Sequence, residues 1–287
     1  MKLKNFLLEI PVADWPVLRD MYVDNWPENY STYFAIDNGI KLKQRDPVDY
    51  NKEIQMFSLN GDWNDGTFIL LLDKSSNSIL INTAVDNLDR LKSAVELLDP
   101  NTDWCFYACV DKVKPVVQHY SKVYDFNYIT PYPIIFHYLP KDKAVKLELP
   151  DRDDVALRQL NLDDAETINT IWPHRFPGSI RFVRRLISTD FTVGAFCRET
   201  GELMAWVLRL PIGGLGLLQV KEQYYRRGLG KLVTIAQSKQ LGENGFDVSA
   251  TVLHTNGPSR ALFTGLGFVE NGERSYMFKE GEGTPHH

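Results

Sequence analysis

The chain predicts a mixed α/β protein in two successive halves, with mostly antiparallel sheets flanked by helices. Three observations carry this expectation. Short apolar runs rich in β-branched and aromatic residues recur along the chain, among them 67–72, 104–110, 192–197, 203–210 and 248–253. Amphipathic stretches lie between them, such as the one that puts Leu88, Leu91, Val95 and Leu98 on one face. The length of 287 residues corresponds to about two domains at roughly 150 residues each.

In the first half, a helical pattern covers 12–24 and is punctuated by Trp26-Pro27. Strand-like runs follow at 31–36, 53–59, 67–72 and 78–81, with Asn60-Gly61 and Asn64-Asp65-Gly66 supplying turns. Residues 86–98 read as a helix, 104–110 as a strand and 115–123 as a helix; strands at 126–130 and 134–139 close the half. The Lys-, Asp- and Pro-rich stretch 140–154 is the candidate boundary between domains 1–142 and 143–287, partly ordered as a strand at 145–149.

The second half opens with an alternating strand at 155–160. Leu162-Asp163-Asp164 then starts a helix with Ala165, Ile168 and Ile171 on one face, and a further helix covers 179–187. Strands at 192–197 and 203–210 form a hairpin around Glu199-Thr200-Gly201-Glu202, and 214–220 is a third strand. A helix opens after Arg226-Arg227-Gly228-Leu229-Gly230, buries Leu229, Leu232, Val233 and Ala236, and ends at Gly242 and Gly245. A strand at 248–253, a short helix started by Pro258 and ended by Gly267-Phe268, and a strand at 274–279 complete the chain.

A net charge of -5 argues against a nucleic-acid partner, since a phosphate-binding surface needs an excess of Lys and Arg. Cys105, Cys109 and Cys197 form neither a zinc pattern nor an even disulfide framework, so no metal is expected and a reducing cytosol fits best. Spaced four apart, Cys105 and Cys109 are expected on one face of a strand as small buried residues. Glu9 interrupts the first apolar stretch too early for a secretory leader, and the run 68–72 is too short for a bilayer. No membrane partner and a cytoplasmic location are therefore expected; a mitochondrial one stays open, although no clear transit peptide is present. His286 and His287 are native or a tag remnant and are set aside.

The informative segment is 220–232. A strand runs into a turn whose Gly228 and Gly230 stand at a helix N-terminus, where free amides and the helix dipole suit a diphosphate. Arg226, Arg227 and Lys231 add positive charge there. The segment is not a P-loop, because Leu232 follows Lys231 where Ser or Thr is required. Nor is it a dinucleotide fingerprint, because Val233 holds the place of the third glycine. A second segment runs Asn256-Gly257-Pro258-Ser259-Arg260-Ala261-Leu262-Phe263-Thr264-Gly265-Leu266-Gly267-Phe268.

Together the two segments resemble motifs A and B of the GNAT superfamily of CoA-dependent acyltransferases. Motif A, Gln/Arg-x-x-Gly-x-Gly/Ala, corresponds to Tyr225-Arg226-Arg227-Gly228-Leu229-Gly230, with Tyr225 in place of the usual Gln or Arg, which removes one charge. Motif B, Asn-x-x-Ser/Ala-x-x-Leu-Tyr/Phe-x-x-x-Gly-Phe, is matched at Asn256, Ser259, Leu262, Phe263, Gly267 and Phe268. Over 155–280 the chain looks like the glycine N-acyltransferase-like branch. Its first half, through Asp24-Asn25-Trp26-Pro27 and the later strands, is similar to that branch's N-terminal domain. The resemblance implies a GNAT fold in the second half and a degenerate GNAT-like first half without a phosphate loop, hence one CoA site per chain.

It also implies acetyl-CoA or another acyl-CoA as co-substrate, and direct attack by a primary amine such as glycine or another amino acid. Amides of Arg227, Gly228, Leu229 and Gly230 would hold the diphosphate, beside Tyr225, Arg226 and Lys231. Leu218 and Val220 would offer main-chain bonds to pantetheine, with Asn256, Ser259 and Phe263 as further contacts. The branch places a Glu base five residues before the first loop glycine; here that position is Gln223 and its neighbour is Glu222. A one-residue shift turns a strand side chain to the other face, so a bulge, which the family often has in this strand, would be needed to bring Glu222 inward. His174, in a loop that borders the acceptor site in relatives, is a second candidate base, and Arg175 a candidate partner for an acceptor carboxylate. Phe263 replaces the Tyr that protonates the leaving thiolate in many relatives, which leaves Ser259 or water to assist. Two other readings stay open: an acyl-CoA-binding or regulatory homologue without chemistry, and a protein Lys or N-terminal acetyltransferase. The sequence does not give the oligomeric state.

Overall fold

The computed structural model describes residues 5–45, 53–74, 76–189 and 191–280; Met1 to Lys4 and the His286-His287 pair lie outside them. The described chain forms two compact units. One holds the residues up to Ile134 together with those from Glu273 onward, and the other holds Ile135–Gly272. The division thus falls within the strand Tyr128–Leu139 rather than between 142 and 143.

The first unit is built from β1 (Leu7–Glu9), α1 (Trp15–Asp20), α2 (Tyr30–Arg45), β2 (Gln55–Leu59), β3 (Phe68–Asp73), β4 (Ser78–Asn82), α3 (Asp89–Val95), β5 (Cys105–Cys109) and α4 (Lys114–Val123). Strands β1 to β4 pair antiparallel in chain order, and β4 pairs parallel with β5. The sheet is completed by the end of the last strand of the chain, β12 (Val269–Lys279), whose Met277 lies opposite Phe106. Its core packs Leu91, Val95, Val117 and Tyr120 from α3 and α4 against Ile79, Phe106 and Met277.

Two expectations fail in this unit. Residues 31–36 form the start of helix α2, not a strand. Their aromatic, β-favouring composition is overridden by packing, because Tyr30, Tyr33 and Phe34 at helical spacing gather around Trp26 with ring centroids 5.3 to 5.9 Å away. Gly39 lets α2 approach α1, since a Cβ there would lie 2.9 Å from the Trp15 ring. Cys105 and Cys109 are both buried but do not share a face. Ala108 adopts φ 49°, and the β5–β12 register shifts there. The resulting bulge turns Cys109 onto the Phe106 side, into the helix-covered core, while Cys105 stays outside that cluster. Burial pushes the Cys105 thiol up to about 12, so it is an inert, protonated side chain.

The second unit contains the end of β6 (Tyr128–Leu139), α5 (Lys141–Ala144), β7 (Val155–Arg158), α6 (Ala165–Ile171), α7 (Ser179–Thr189), β8 (Val193–Cys197), β9 (Leu203–Arg209), β10 (Leu215–Val220), α8 (Leu229–Glu243), β11 (Val248–Leu253) and α9 (Gly257–Gly265). Its sheet runs β6-β11-β10-β9-β8-β7, antiparallel from β7 to β10 and parallel between β10 and β11. Every residue of β9 is buried, as a central strand covered on both faces requires. Each half of the chain therefore repeats one succession, strand, two helices, three strands, helix, strand, helix, strand.

The stretch 140–154 is not a free linker, and no strand forms at 145–149. Asp247 accepts bonds from the Tyr138 hydroxyl (2.5 Å) and the Lys141 amide (2.7 Å), while Lys239 Nζ donates to the Val145 carbonyl at 2.6 Å. Ala144 is fully buried against α8. Gly242 lies inside that helix instead of ending it; Gly245, at φ 83°, follows the helix end.

Candidate functional site

Strand β10 carries the geometry that opens a site. It is in register with parallel neighbour β11 only at Leu215↔Ala250. Directly beyond, Leu217 takes φ 48° and the register with β9 shifts between Gly216 and Gln219, which marks a β-bulge. Leu218 and Val220 send their half-buried side chains against the core, so the strand is anchored through its side chains while its register with β11 is lost.

The strand then enters a 3-10 turn at Glu222–Tyr224, and Arg226 and Gly228 both take left-handed conformations, φ 59° and 74°. Gly228 is the N-cap of α8, with no side chain capping this end. The first intrahelical bond runs from the Leu232 amide to the Gly228 carbonyl, which leaves the amides of Leu229, Gly230 and Lys231 ahead of the ladder. Leu229 is 1 % exposed and fixes the first turn into the core, and a Cβ at Gly230 would lie 3.5 Å from Val220. A Cβ at Gly228 would meet nothing within 4 Å. Amides left uncapped at the positive end of a 15-residue helix suit a diphosphate.

Arg226, Arg227 and Lys231 are exposed around this end, and among the described residues no carboxylate pairs with Arg226 or Lys231. Two carboxylates outside the motif brace the turn. Asp154 accepts from Arg152 Nε and Nη2, both at 2.8 Å, and from Arg227 Nη2 at 2.9 Å. The Arg152 guanidinium, then that of Arg227, holds the Asp154 carboxyl well below the usual carboxylate range. Glu202 accepts from the Tyr224 hydroxyl (2.6 Å), Lys221 Nζ (2.9 Å) and Gln223 Nε2 (3.1 Å), which lowers its pKa through Tyr224 first and Lys221 next. The Arg227 guanidinium lies over the Tyr224 ring, 5.4 Å from its centroid, and joins the two clusters. Sequence reasoning missed Arg152, Asp154 and Glu202; the first two sit in the stretch read as a linker, and no local pattern marks any of them.

Motif B is ordered by its own cap. The Asn256 side chain accepts from the Ser259 amide at 3.1 Å and so starts α9, the capping role available to any N-terminal Asn. Phe263 is 3 % exposed, with ring contacts to Phe268 at 5.1 Å and His137 at 5.7 Å. That burial makes it a core residue and offers no open ring face to a cofactor. Tyr225, in contrast, is 60 % exposed.

The candidate catalytic groups lie on different elements. Glu222 opens the 3-10 turn past the end of β10 and is exposed, so the bulge re-aims Leu218 to Val220 without bringing this carboxylate inward. His174 is half-buried in the loop between α6 and α7, with its ring 6.5 Å from that of Trp172. Arg175 donates to the Thr170 carbonyl at 3.0 Å. Among the described residues, no hydrogen bond joins Glu222 to Ser259, and no cluster of His, Cys, Asp or Glu suits a metal ion. No helix of the described residues is long and apolar enough to cross a membrane.

Residues 192–277 match the FR47-like protein family. No curated protein gives a significant match to the sequence. A Drosophila protein of solved structure superposes with a TM-score of 0.86 at 20% identity, over 96% of this chain and 99% of that one. A tandem GNAT protein from the clavulanic acid biosynthesis pathway gives 0.58 at 12% identity, over 98% and 100% of the two chains. A GCN5-related N-acetyltransferase from Sphaerobacter thermophilus gives 0.52 at 11% identity, over 96% and 95%. With the bulged, diverging strand and the open helix N-terminus behind it, the chain has the fold of the GNAT N-acetyltransferases, built as two GNAT-like halves.

Proposed function

We propose that the second unit is a CoA-dependent N-acyltransferase that moves an acyl group to a small primary amine, glycine or another amino acid. The observation that carries this is the uncapped amide set at Leu229, Gly230 and Lys231, beside a Gly228 with clear space in front of it. The diphosphate of acyl-CoA fits that set, with Tyr225, Arg226, Arg227 and Lys231 around it. Main-chain groups of Leu218 and Val220, where β10 leaves β11, would take pantetheine. Asn256 and Ser259, at the start of α9, would stand on its other side.

In the reaction the amine nitrogen attacks the thioester carbonyl carbon and the carbonyl oxygen becomes an oxyanion. The C–S bond then breaks, and CoA leaves as a thiolate that takes up a proton. The protein must orient the two substrates and accept the proton that the amine loses. His174 and Glu222 are the assigned acceptors of that proton, directly or through water. Ser259 or water serves the thiolate, because Phe263 cannot.

The first unit is assigned no CoA site. The turn 83–88 that leads from β4 to α3 contains no glycine, and Asp86 and Asp89 stand at the helix start where a diphosphate would need positive charge. Lys112 Nζ donates to the Thr83 carbonyl at 3.2 Å, so the exit of β4 is already engaged by the protein's own side chain. The buried Phe263 and exposed Glu222 favour one second reading, an acyl-CoA-binding protein without chemistry. CoA release followed with several acyl-CoAs and a panel of amines separates the two. Turnover that rises with pH as the amine loses its proton is the expected result. Binding of acyl-CoA with no thiol release for any amine would support the second reading instead.

A further inference from the structure

We infer that Arg152, held by Asp154, is a positioning residue for the diphosphate cradle, acting on it through one peptide plane; this rests on the CoA-binding reading above. Arg152 Nη1 donates to the Arg227 carbonyl at 3.0 Å, across 75 residues of sequence, while its Nε and Nη2 form a two-pronged pair with Asp154. The carbonyl it holds belongs to the peptide bond between Arg227 and Gly228. In a trans peptide the C=O and N–H point to opposite sides. Pinning the carbonyl to Arg152 therefore sends the Gly228 N–H away from Arg152. Among the described residues that N–H has no acceptor, and it directly precedes the Leu229, Gly230 and Lys231 amides.

The pin has work to do because the residue after this peptide is glycine, at φ 74°. Glycine tolerates either sign of φ, so the plane between Arg227 and Gly228 is free to rotate unless something holds it. Rotated, it would present a carbonyl oxygen to the anion in place of a donor. Asp154 supplies rigidity twice, by fixing the Arg152 fork and by taking Arg227 Nη2. Isolated exposed ion pairs contribute little, but a two-pronged pair within a network holds its geometry.

Positioning and simple charge make opposite predictions for Asp154, which gives the test its edge. Calorimetric titration of the full chain with CoA, and with pantetheine as a probe without the diphosphate, reads the effect. Arg152→Ala is expected to weaken CoA about ten- to a hundredfold, the loss of one charge-assisted donor, and to shrink the preference for CoA over pantetheine. Arg152→Lys, able to reach the carbonyl but not to fork onto Asp154, is expected to recover part of the loss. Asp154→Asn removes a negative charge beside the anion, so electrostatics alone would tighten CoA, whereas loss of the brace weakens it severalfold. Weakening by both Arg152→Ala and Asp154→Asn, with melting temperatures near the parent's, supports the inference. Tighter or unchanged binding in Asp154→Asn, or unchanged binding in Arg152→Ala, overturns it while leaving the CoA site intact. A parent chain that fails to bind CoA would remove the transferase reading itself and this inference with it.

Discussion

Substituting Gly228 by Glu places a carboxylate where the structure leaves clear space in front of the α8 N-terminus. A Cβ there meets nothing within 4 Å, so the change creates no clash with the protein. Its cost to the fold is conformational, about 1–2 kcal/mol for a side chain held at φ 74°. Against bound CoA the cost is electrostatic. With about 5 Å between the carboxylate and a diphosphate of about two charges, and an effective dielectric of about 40 at this exposed rim, the repulsion is about 3 kcal/mol. That corresponds to a rise of about two orders of magnitude in Kd. Gly228→Ala carries the same backbone cost without the charge, so it should weaken CoA less than about tenfold and lower the melting temperature by about 2–4 °C per kcal/mol. Titration with CoA at low salt and near 1 M salt reads both effects, and the excess loss in Gly228→Glu should shrink as screening shortens to about 3 Å. Equal losses in the two variants, or a Gly228→Glu variant that binds like the parent, would refute an anion at this turn.

Two further predictions concern the frame that holds the site. Gly242→Ala should destabilise the chain by about 1–2 kcal/mol, because its Cβ would sit 2.9 Å from the Lys141 carbonyl and 3.1 Å from Ala144. If residues 140–154 were a free linker, better helix propensity would instead stabilise it by about 1 kcal/mol, so chemical denaturation reads the sign. His137 has a fully buried side chain with Nε2 3.4 Å from Glu270 Oε1, and Glu270 is itself paired with Arg260. Burial, the largest effect, holds the His137 pKa below its ordinary value despite the Ile135 carbonyl and Glu270. The unfolded chain then binds a proton near pH 6.5 before the folded one does, so stability should fall as pH drops from about 6.5 toward the depressed folded value. Melting curves between pH 8 and 5 should show that slope in the parent and a shallower one in His137→Phe; parallel slopes would sink the assignment.

What the sequence discloses here is what short-range chemistry dictates. The strands at 67–72, 104–110, 203–210 and 248–253 were legible because branched and aromatic runs end at turn residues, and the start of α8 was legible because Gly228 and Gly230 stand where a helix begins. Helix α2 was not, because its aromatic residues favour a strand locally and only their packing around Trp26 makes them helical. Side-chain alternation also misled at Cys109, since a single bulged residue, Ala108, reverses which face follows. The brace on the turn was illegible for a different reason. Arg152 and Asp154 lie far along the chain from Arg227 and look like any charged residues of a connecting stretch. His137, likewise, is recognisable as a buried titratable group only once Phe263 and Glu270 are seen beside it.

The pairing of β5 with the end of β12 has a bearing on biosynthesis. Synthesis runs from the N-terminus, and leading domains generally fold first as they emerge. Here the first unit cannot do so completely, because Ser275, Met277 and Phe278, which close its sheet, are translated after the whole of Ile135–Gly272. Until then the open edge of β5 is a row of unpaired amides and carbonyls, the kind of surface that invites capture by another nascent chain or by a chaperone. Completion of the first unit thus waits for a segment that follows the second.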